Sequence, residues 1–180
     1  AEKITGNAQL SPGGKYIVYF DQTDWHTYNI ATGKVTNVTA PAAGVHFEQE
    51  TWSTPDDPSA WGIAGWTKDD RSILINDRFD VWDIDPTGVK APVVLTDSVG
   101  RRENMTLRIM NLGRDEDERF VDTSAPAWLS AFDEDTKASG FYRTRLDARR
   151  APEKVVMADV RYGAPSKARN AETYVVTKGT

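Results

Sequence analysis

The chain has 180 residues, a formal net charge of −5 at pH 7 and no cysteine. Without cysteine it has neither a disulfide framework nor a thiolate nucleophile, and its acidic balance argues against a nucleic-acid binder, which needs a basic surface. No apolar run approaches the roughly 20 residues of a membrane-spanning helix. It begins at Ala1 without a methionine, so we expect a processed chain or a piece of a longer one.

A pattern of alternating turns and strands occupies residues 10–39. A short strand is expected before it, within residues 1–10, with the edge of a neighbouring sheet as one place for it. Ser11-Pro12-Gly13-Gly14 has the composition of a turn, and residues 15–20 are rich in the β-branched and aromatic residues of a buried strand. Two further strands, at residues 25–29 and 35–39, flank a turn at residues 31–34. This arrangement is typical of one four-stranded blade of a β-propeller.

The same pattern recurs at residues 66–96. Residues 67–70 align with the first turn, residues 72–75 with the strand at 16–19, and Asp77 with Asp21. A turn two residues shorter then aligns residues 81–84 with residues 27–30. Self-similarity of short strands at a spacing of roughly 40 to 55 residues indicates a blade array. Two similar meanders within a β-sandwich are the alternative.

The remaining segments predict further blades and very little helix. We expect blades at about 10–39, 62–96 and 108–157, and the start of another at 162–180, with an inner strand at 173–177 whose partners are missing. A long loop at 41–60 separates the first two blades, and Trp52 and Trp61 favour a packed loop. Residues 98–102 are interpreted as a solvated basic loop. The predicted fold is therefore an all-β propeller of about three to four four-stranded blades, part of a larger ring.

Several large aromatic side chains fall at strand positions of the two repeats, where a core between neighbouring blades requires them. We expect these to pack rather than to bind ligand: Tyr16, Tyr19, Phe20, Trp25, Tyr28, Trp66, Phe79 and Trp82.

The chain offers little that predicts catalysis. It lacks the Gly-x-Ser-x-Gly pentapeptide of an α/β-hydrolase nucleophile. Its two histidines are His26, within a predicted strand, and His46, near Glu48 and Glu50. A histidine with two nearby carboxylates falls short of a complete metal ligand set. We therefore expect no catalytic residue, cofactor or metal site in this chain.

Carboxylate clusters and glycosylation sequons have simpler explanations than binding sites. The acidic runs at 115–118 and 133–135 lack the spacing of an EF-hand loop and predict solvated turns. The adjacent pairs Asp56-Asp57 and Asp69-Asp70 do not predict the facing carboxylates of a glycosidase. The sequons Asn37-Val38-Thr39 and Asn104-Met105-Thr106 are short enough to occur by chance.

Residues 10–19, LSPGGKYIVY, resemble the "LSPDGKYLAY" strand motif of propellers in prolyl-oligopeptidase-type serine peptidases, the S9 family that includes dipeptidyl peptidase IV, and of TolB-like and WD40-like propellers. Residues 28–34, 62–70, 80–86 and 129–142 resemble the propellers of large bacterial members of the S9 family more specifically. The resemblance extends over essentially the whole chain. Gly13 stands where the family has Asp, a departure expected to leave the turn unchanged.

The resemblance implies a non-catalytic propeller segment of a periplasmic or extracellular peptidase. Such a propeller gates access and binds peptide substrate for an α/β-hydrolase domain, which carries the catalytic Ser, Asp and His. None of those positions has a counterpart here. The alternative is a non-enzymatic propeller that binds a protein or ligand, or forms homo-oligomers through open blade edges.

Overall fold

The computed structural model describes residues 8–51, 57–112, 120–168, 170–171 and 173–179. These residues form four antiparallel β-sheets and almost no helix, which confirms the predicted all-β class. In each of the first three sheets, four strands pair in the order in which they occur along the chain, and the fourth sheet is a two-stranded hairpin.

The strands are short and their bounds are as follows. The first sheet contains β1 (Gln9–Leu10), β2 (Tyr16–Phe20), β3 (Trp25–Asn29) and β4 (Val35–Asn37). The second contains β5 (Ile63–Trp66), β6 (Ile73–Asn76), β7 (Val81–Ile84) and β8 (Val93–Val94). The third contains β9 (Met105–Ile109), β10 (Pro126–Asp133), β11 (Ser139–Arg145) and β12 (Glu153–Ala158), and the fourth β13 (Ser166–Lys167) and β14 (Tyr174–Val175).

The short strand expected within residues 1–10 is confirmed as β1, which pairs with β2 in the first sheet and not with a neighbouring sheet. Two other local expectations are wrong. The basic segment predicted as a solvated loop forms a short helix, α1 (Val99–Arg102), whose first two residues, Val99 and Gly100, are buried. The last strand does have a partner, since β14 pairs with β13.

The first two sheets repeat more closely than the sequence alignment suggested. Phe20 lies opposite Trp25 and Asn76 lies opposite Val81, so the β2–β3 and β6–β7 turns have the same length. The alignment with a turn two residues shorter is therefore wrong, and Val81 corresponds to Trp25. Strands β2 and β3 therefore correspond to β6 and β7 at an offset of 56 positions, and β4 corresponds to β8 at an offset of 57.

The sheets pack face to face in chain order. Val18 and Trp25 of the first sheet bury their side chains against Ile73 and Ile75 of the second. The opposite face of the second sheet carries Leu74 and Val81. These side chains pack with Val121, which precedes β10, and with Leu146, which follows β11. The fourth sheet covers the third through aromatic contacts, with ring centroids 4.5 Å apart for Trp128 and Tyr174. Each interface therefore joins opposite faces of successive sheets.

The long loop between the first two sheets is anchored in the first core. Phe47 is buried and its ring meets that of Trp82 edge-on. Glu48 forms a β-bridge with Ala60, which closes the base of the loop. Trp61 is partly buried and lies beneath the Arg108 guanidinium, whereas Trp52 lies outside the described residues.

The aromatic side chains expected in the core differ in burial. Tyr16, Trp25 and Trp66 are buried, and the rings of Tyr16 and Trp66 stack across the first interface. The other members of the set are partly exposed: Tyr19, Phe20, Tyr28, Phe79 and Trp82.

Candidate functional site

An aspartate shapes the turn between the second and third strands of each four-stranded sheet. These aspartates are Asp21, Asp77 and Asp133, and each lies 56 positions after the one before it. In each turn one carboxylate oxygen, Oδ1, accepts hydrogen bonds from two backbone N–H groups two and three residues further on. In such Asx turns the side chain bonds to nearby backbone of the same turn.

The turn of the second sheet is also a centre of buried polar contacts. The other oxygen of Asp77 accepts hydrogen bonds from Trp82 Nε1 at 3.0 Å and Arg101 Nη2 at 2.7 Å. Asp80 accepts the Thr96 hydroxyl at 2.6 Å and the backbone N–H groups of Gly100 and Arg101 at 3.0 Å. Both carboxylates are essentially inaccessible to solvent. They attach α1 to the second sheet.

Arg108 links this centre to the third sheet. Its guanidinium donates to the carbonyl oxygens of Asp77 and Arg78 at 2.9 and 3.0 Å. Burial lowers the pKa of Arg108, and the nearby Asp77, Asp80 and Glu134 carboxylates offset part of that effect. A guanidinium with a lowered pKa is still a cation at neutral pH. The cluster is therefore charged, hydrogen-bonded and structural.

The same cluster imposes an electrostatic cost on Asp80. Burial raises the pKa of Asp80, and the neighbouring Asp77 carboxylate adds to the rise, although the Thr96 hydroxyl and two backbone N–H groups oppose it. A carboxyl group whose folded pKa exceeds its unfolded pKa destabilises the fold once it ionises. The fold consequently loses part of its stability as the pH rises. The loss begins at about pH 4, the unfolded pKa of Asp, and continues through the folded pKa of Asp80.

Replacement Asp80→Asn should remove this pH dependence. We expect the variant to gain stability relative to the wild type as the pH rises from about 4 to neutral. Its free energy of unfolding minus that of the wild type should then become more positive. Urea denaturation at a series of pH values measures it. A difference that stays constant with pH, or becomes more negative, would contradict the electrostatic cost. Asp83→Asn, on the next strand but partly exposed, is the matched control.

A second buried carboxylate joins the first sheet to the second. Asp70 accepts the Ser11 hydroxyl at 2.6 Å, the Gly13 N–H at 2.9 Å and the Lys15 N–H at 3.2 Å. The Asp70 side chain therefore fills the turn that precedes β2. We call these contacts the Asp70 clasp.

Gly13 leaves the space that the Asp70 carboxylate of the clasp occupies. A Cβ atom at this position would lie 2.6 Å from Asp70 Oδ2. An Asp there would also place a second carboxylate beside the first, and like charges at that distance repel strongly.

The histidines are each held by a carboxylate. His26 Nε2 lies 2.7 Å from Asp21 Oδ2, and its ring stacks on Tyr19. His46 Nδ1 lies 2.7 Å from Glu48 Oε1 at an exposed position, and Glu50 pairs with Arg78 instead of joining them. Among the described residues, no group of three or more His, Asp and Glu side chains is placed to hold a metal ion.

The remaining carboxylate clusters do not form facing pairs in the residues that the structure describes. Asp70 is buried in the clasp while Asp69 is exposed and uses only its backbone oxygen, to Lys15. Asp57 is exposed, and Asp56 lies outside the described residues, as does the acidic run 115–118. The run 133–135 forms the third Asx turn, as expected of a solvated turn.

Both sequons take part in folded contacts. Asn37 donates its amide to Asp24, and the Thr39 hydroxyl of the same sequon donates to Asp24 as well. Asn104 donates its amide to Asp135 at 2.7 Å. The nitrogen atoms that a glycan would occupy are thus engaged in the folded chain.

A cleft of about 380 Å³ lies where the clasp meets the second sheet. Its lining carries charges of both signs, namely the cations of Lys15, Arg71 and Lys90 and the carboxylates of Asp69, Asp83 and Asp85. Asp85 is committed to its own turn, where it accepts hydrogen bonds from Thr87 and Lys90. The cleft therefore lacks a field of one sign that would select a charged ligand.

Sequence reasoning missed the buried roles of Asp70, Asp77 and Asp80. Ser11, the partner of Asp70, lies 59 positions away, and Asp77 and Asp80 both bind Arg101 of α1, a helix that was not predicted. A recurrence was nevertheless visible, because Asp-x-x-Asp occurs at residues 21–24 and again at 77–80, each followed by a threonine that donates to the second aspartate.

The comparisons with known proteins add no relative. No family model, no curated protein and no solved structure matches the chain. Within the described residues, every helix is too short or too polar to cross a membrane.

Proposed function

We propose that the chain is a segment of a β-propeller. The observation that carries this proposal is the recurrence of a four-stranded sheet whose Asx-turn aspartate recurs every 56 positions, at residues 21, 77 and 133. Successive units pack opposite faces together, as propeller blades do. Radial repetition of small antiparallel sheets is the arrangement that accounts for such packing.

The segment would serve as the non-catalytic propeller of a secreted serine peptidase of the prolyl-oligopeptidase type. The motif resemblance along the chain supports this parent, and the same resemblance supports a periplasmic or extracellular location. The described residues support a structural role, because their buried aspartates hold turns in place and connect neighbouring sheets. The propeller would gate or bind peptide substrate for an α/β-hydrolase domain of the parent chain.

Peptide turnover and the parent coding sequence test this function together. The 180-residue chain is expected to hydrolyse no chromogenic peptide containing proline or glutamate, because the nucleophile and its base reside in the hydrolase domain. The reading frame of the parent should encode a Gly-x-Ser-x-Gly motif downstream. Turnover by the purified chain would contradict the non-catalytic assignment, and a parent without any hydrolase domain would contradict the peptidase.

A non-enzymatic propeller that binds proteins or associates with itself is the second candidate. One observation favours it. Two apolar side chains of the first sheet, Leu10 and Val35, are 63% and 53% exposed among the residues that the structure describes.

A further inference from the structure

Two pairs of adjacent arginines, Arg101-Arg102 and Arg149-Arg150, come together beside the second sheet. The first pair lies in α1, which follows that sheet, and the second lies in the connection between β11 and β12 of the third sheet. The backbone N–H of Arg150 donates to the carbonyl oxygen of Leu95, just after β8, at 3.0 Å. Contacts between the two sheets therefore bring together basic residues that are far apart in the sequence.

The carboxylate of Asp97 lies between the two pairs. Arg149 Nε lies 2.6 Å from Asp97 Oδ1, and Arg102 Nη2 lies 3.9 Å from Asp97 Oδ2. The guanidinium of Arg102 also donates to the backbone carbonyl oxygen of Asp97. Arg150 pairs instead with Asp147, at 2.8 Å. Two guanidinium groups thus share the single negative charge of Asp97, and an excess of positive charge remains beside it.

These contacts use only part of the hydrogen-bonding capacity of the arginines. A guanidinium carries several N–H donors in a rigid, planar fork. In its contacts within the described part of the chain, Arg149 donates through Nε and Arg150 through Nη2. The side chains of Arg102, Arg149 and Arg150 are 56%, 58% and 43% exposed. We call these three residues the arginine group, and its remaining donors are accessible to another molecule.

We propose that the arginine group binds an acidic peptide segment, in which Asp or Glu side chains supply further carboxylates. The guanidinium fork matches a carboxylate, with which it forms two parallel hydrogen bonds. The three guanidinium groups rest on two different carboxylates and come from two segments, so the group offers several separate contacts. A peptide with successive acidic side chains can use them together, whereas a small anion has a single charged centre.

The charge of the whole chain favours a short acidic segment over a long polyanion. The chain has a net charge of −5, which repels nucleic acid wherever it extends beyond the arginine group. Exposed ion pairs are weak individually and are screened by salt, so the binding depends on several of them and on low ionic strength. The inference goes beyond the proposed propeller and is independent of a peptidase parent.

Fluorescence anisotropy of a labelled peptide in which glutamate alternates with glycine tests the proposal. We expect saturable binding at low ionic strength that weakens as salt is added, and no binding of the peptide with glutamine in place of glutamate. The double variant Arg102→Gln with Arg149→Gln should weaken binding about tenfold, because each exposed contact contributes a few-fold. Circular dichroism should show an unchanged fold, since both side chains are more than half exposed.

A third arginine provides the matched control. Arg71 is exposed, lies outside the arginine group and donates to the carbonyl oxygen of Lys68. Arg71→Gln removes the same charge and should leave peptide binding unchanged. The proposal would be overturned by absence of binding to the wild-type chain, by equal binding of the glutamine peptide, or by an equal loss in Arg71→Gln. Equally tight binding of oligothymidylate would also overturn it, because it would indicate a general polyanion surface. The outcome does not depend on whether the parent encodes a hydrolase domain.

Discussion

Replacement Asp70→Ala is expected to lower the free energy of unfolding by about 4 kcal/mol. The carboxylate is 2% exposed and accepts three hydrogen bonds from the turn of the first sheet. Hydrogen bonds to a charged group contribute about 1.5 to 3 kcal/mol each, but neighbouring contacts are not additive. The loss also leaves the Ser11 hydroxyl buried without this acceptor. Urea denaturation monitored by tryptophan fluorescence measures the change.

The neighbouring residue provides the matched control for the clasp. Asp69 has the same side chain and a positive φ of 63°, close to the 54° of Asp70, but its carboxylate is exposed. Asp69→Ala therefore reports the cost of placing alanine in a left-handed conformation, about 1 kcal/mol. Equal losses for the two variants would show that the clasp contributes no stability of its own.

Replacement Asp77→Ala is expected to cost a similar amount, about 4 kcal/mol. Asp77 is 0% exposed, and its two oxygens accept hydrogen bonds from Phe79, Asp80, Trp82 and Arg101. Its Arg101 partner is 41% exposed, but each hydrogen bond to a charged group contributes about 1.5 to 3 kcal/mol, without strict additivity. Relief of the repulsion on Asp80 offsets a small part of the loss. Thermal and urea unfolding should both report the change.

The internal repeat supplies the control for this second variant. Asp21 occupies the equivalent turn of the first sheet and makes the same two backbone contacts, but its side chain is 45% exposed. Asp21→Ala should cost only about 1 kcal/mol, because water replaces the lost acceptor. If Asp21→Ala proved as damaging as Asp77→Ala, the turn and not the buried cluster would be the source of the stability.

The strands could be predicted because local sequence determines them. Residues 16–20 and 73–76 consist largely of β-branched, aromatic and leucine side chains between polar turns, and both form strands. Register was harder. The similarity of Val81-Trp82-Asp83-Ile84 to residues 27–30 suggested a shortened turn, whereas the hydrogen bonds of Asp77 require a turn of full length.

The buried carboxylates could not be predicted in the same way. Asp70 stands beside Asp69 in a polar stretch that resembles any solvated turn, and its partner Ser11 is 59 positions away. Helix α1 is four residues long, and its only strong determinants are the burial of Val99 and the acceptor that Asp80 supplies to its first turn. Such contacts depend on how the sheets stack, which no local pattern specifies.

Glycine at residue 13 has a consequence for how the first two sheets are held together. A carboxylate at residue 13 would belong to the turn of its own sheet, and its bonds would remain intact if neighbouring sheets separated. The carboxylate of Asp70 comes from the next sheet, so the same turn is satisfied only while the two sheets stay in contact. Because the two carboxylates exclude each other sterically, residues 13 and 70 should vary together in evolution, and a chain with Asp at 13 should lack the inter-sheet bond.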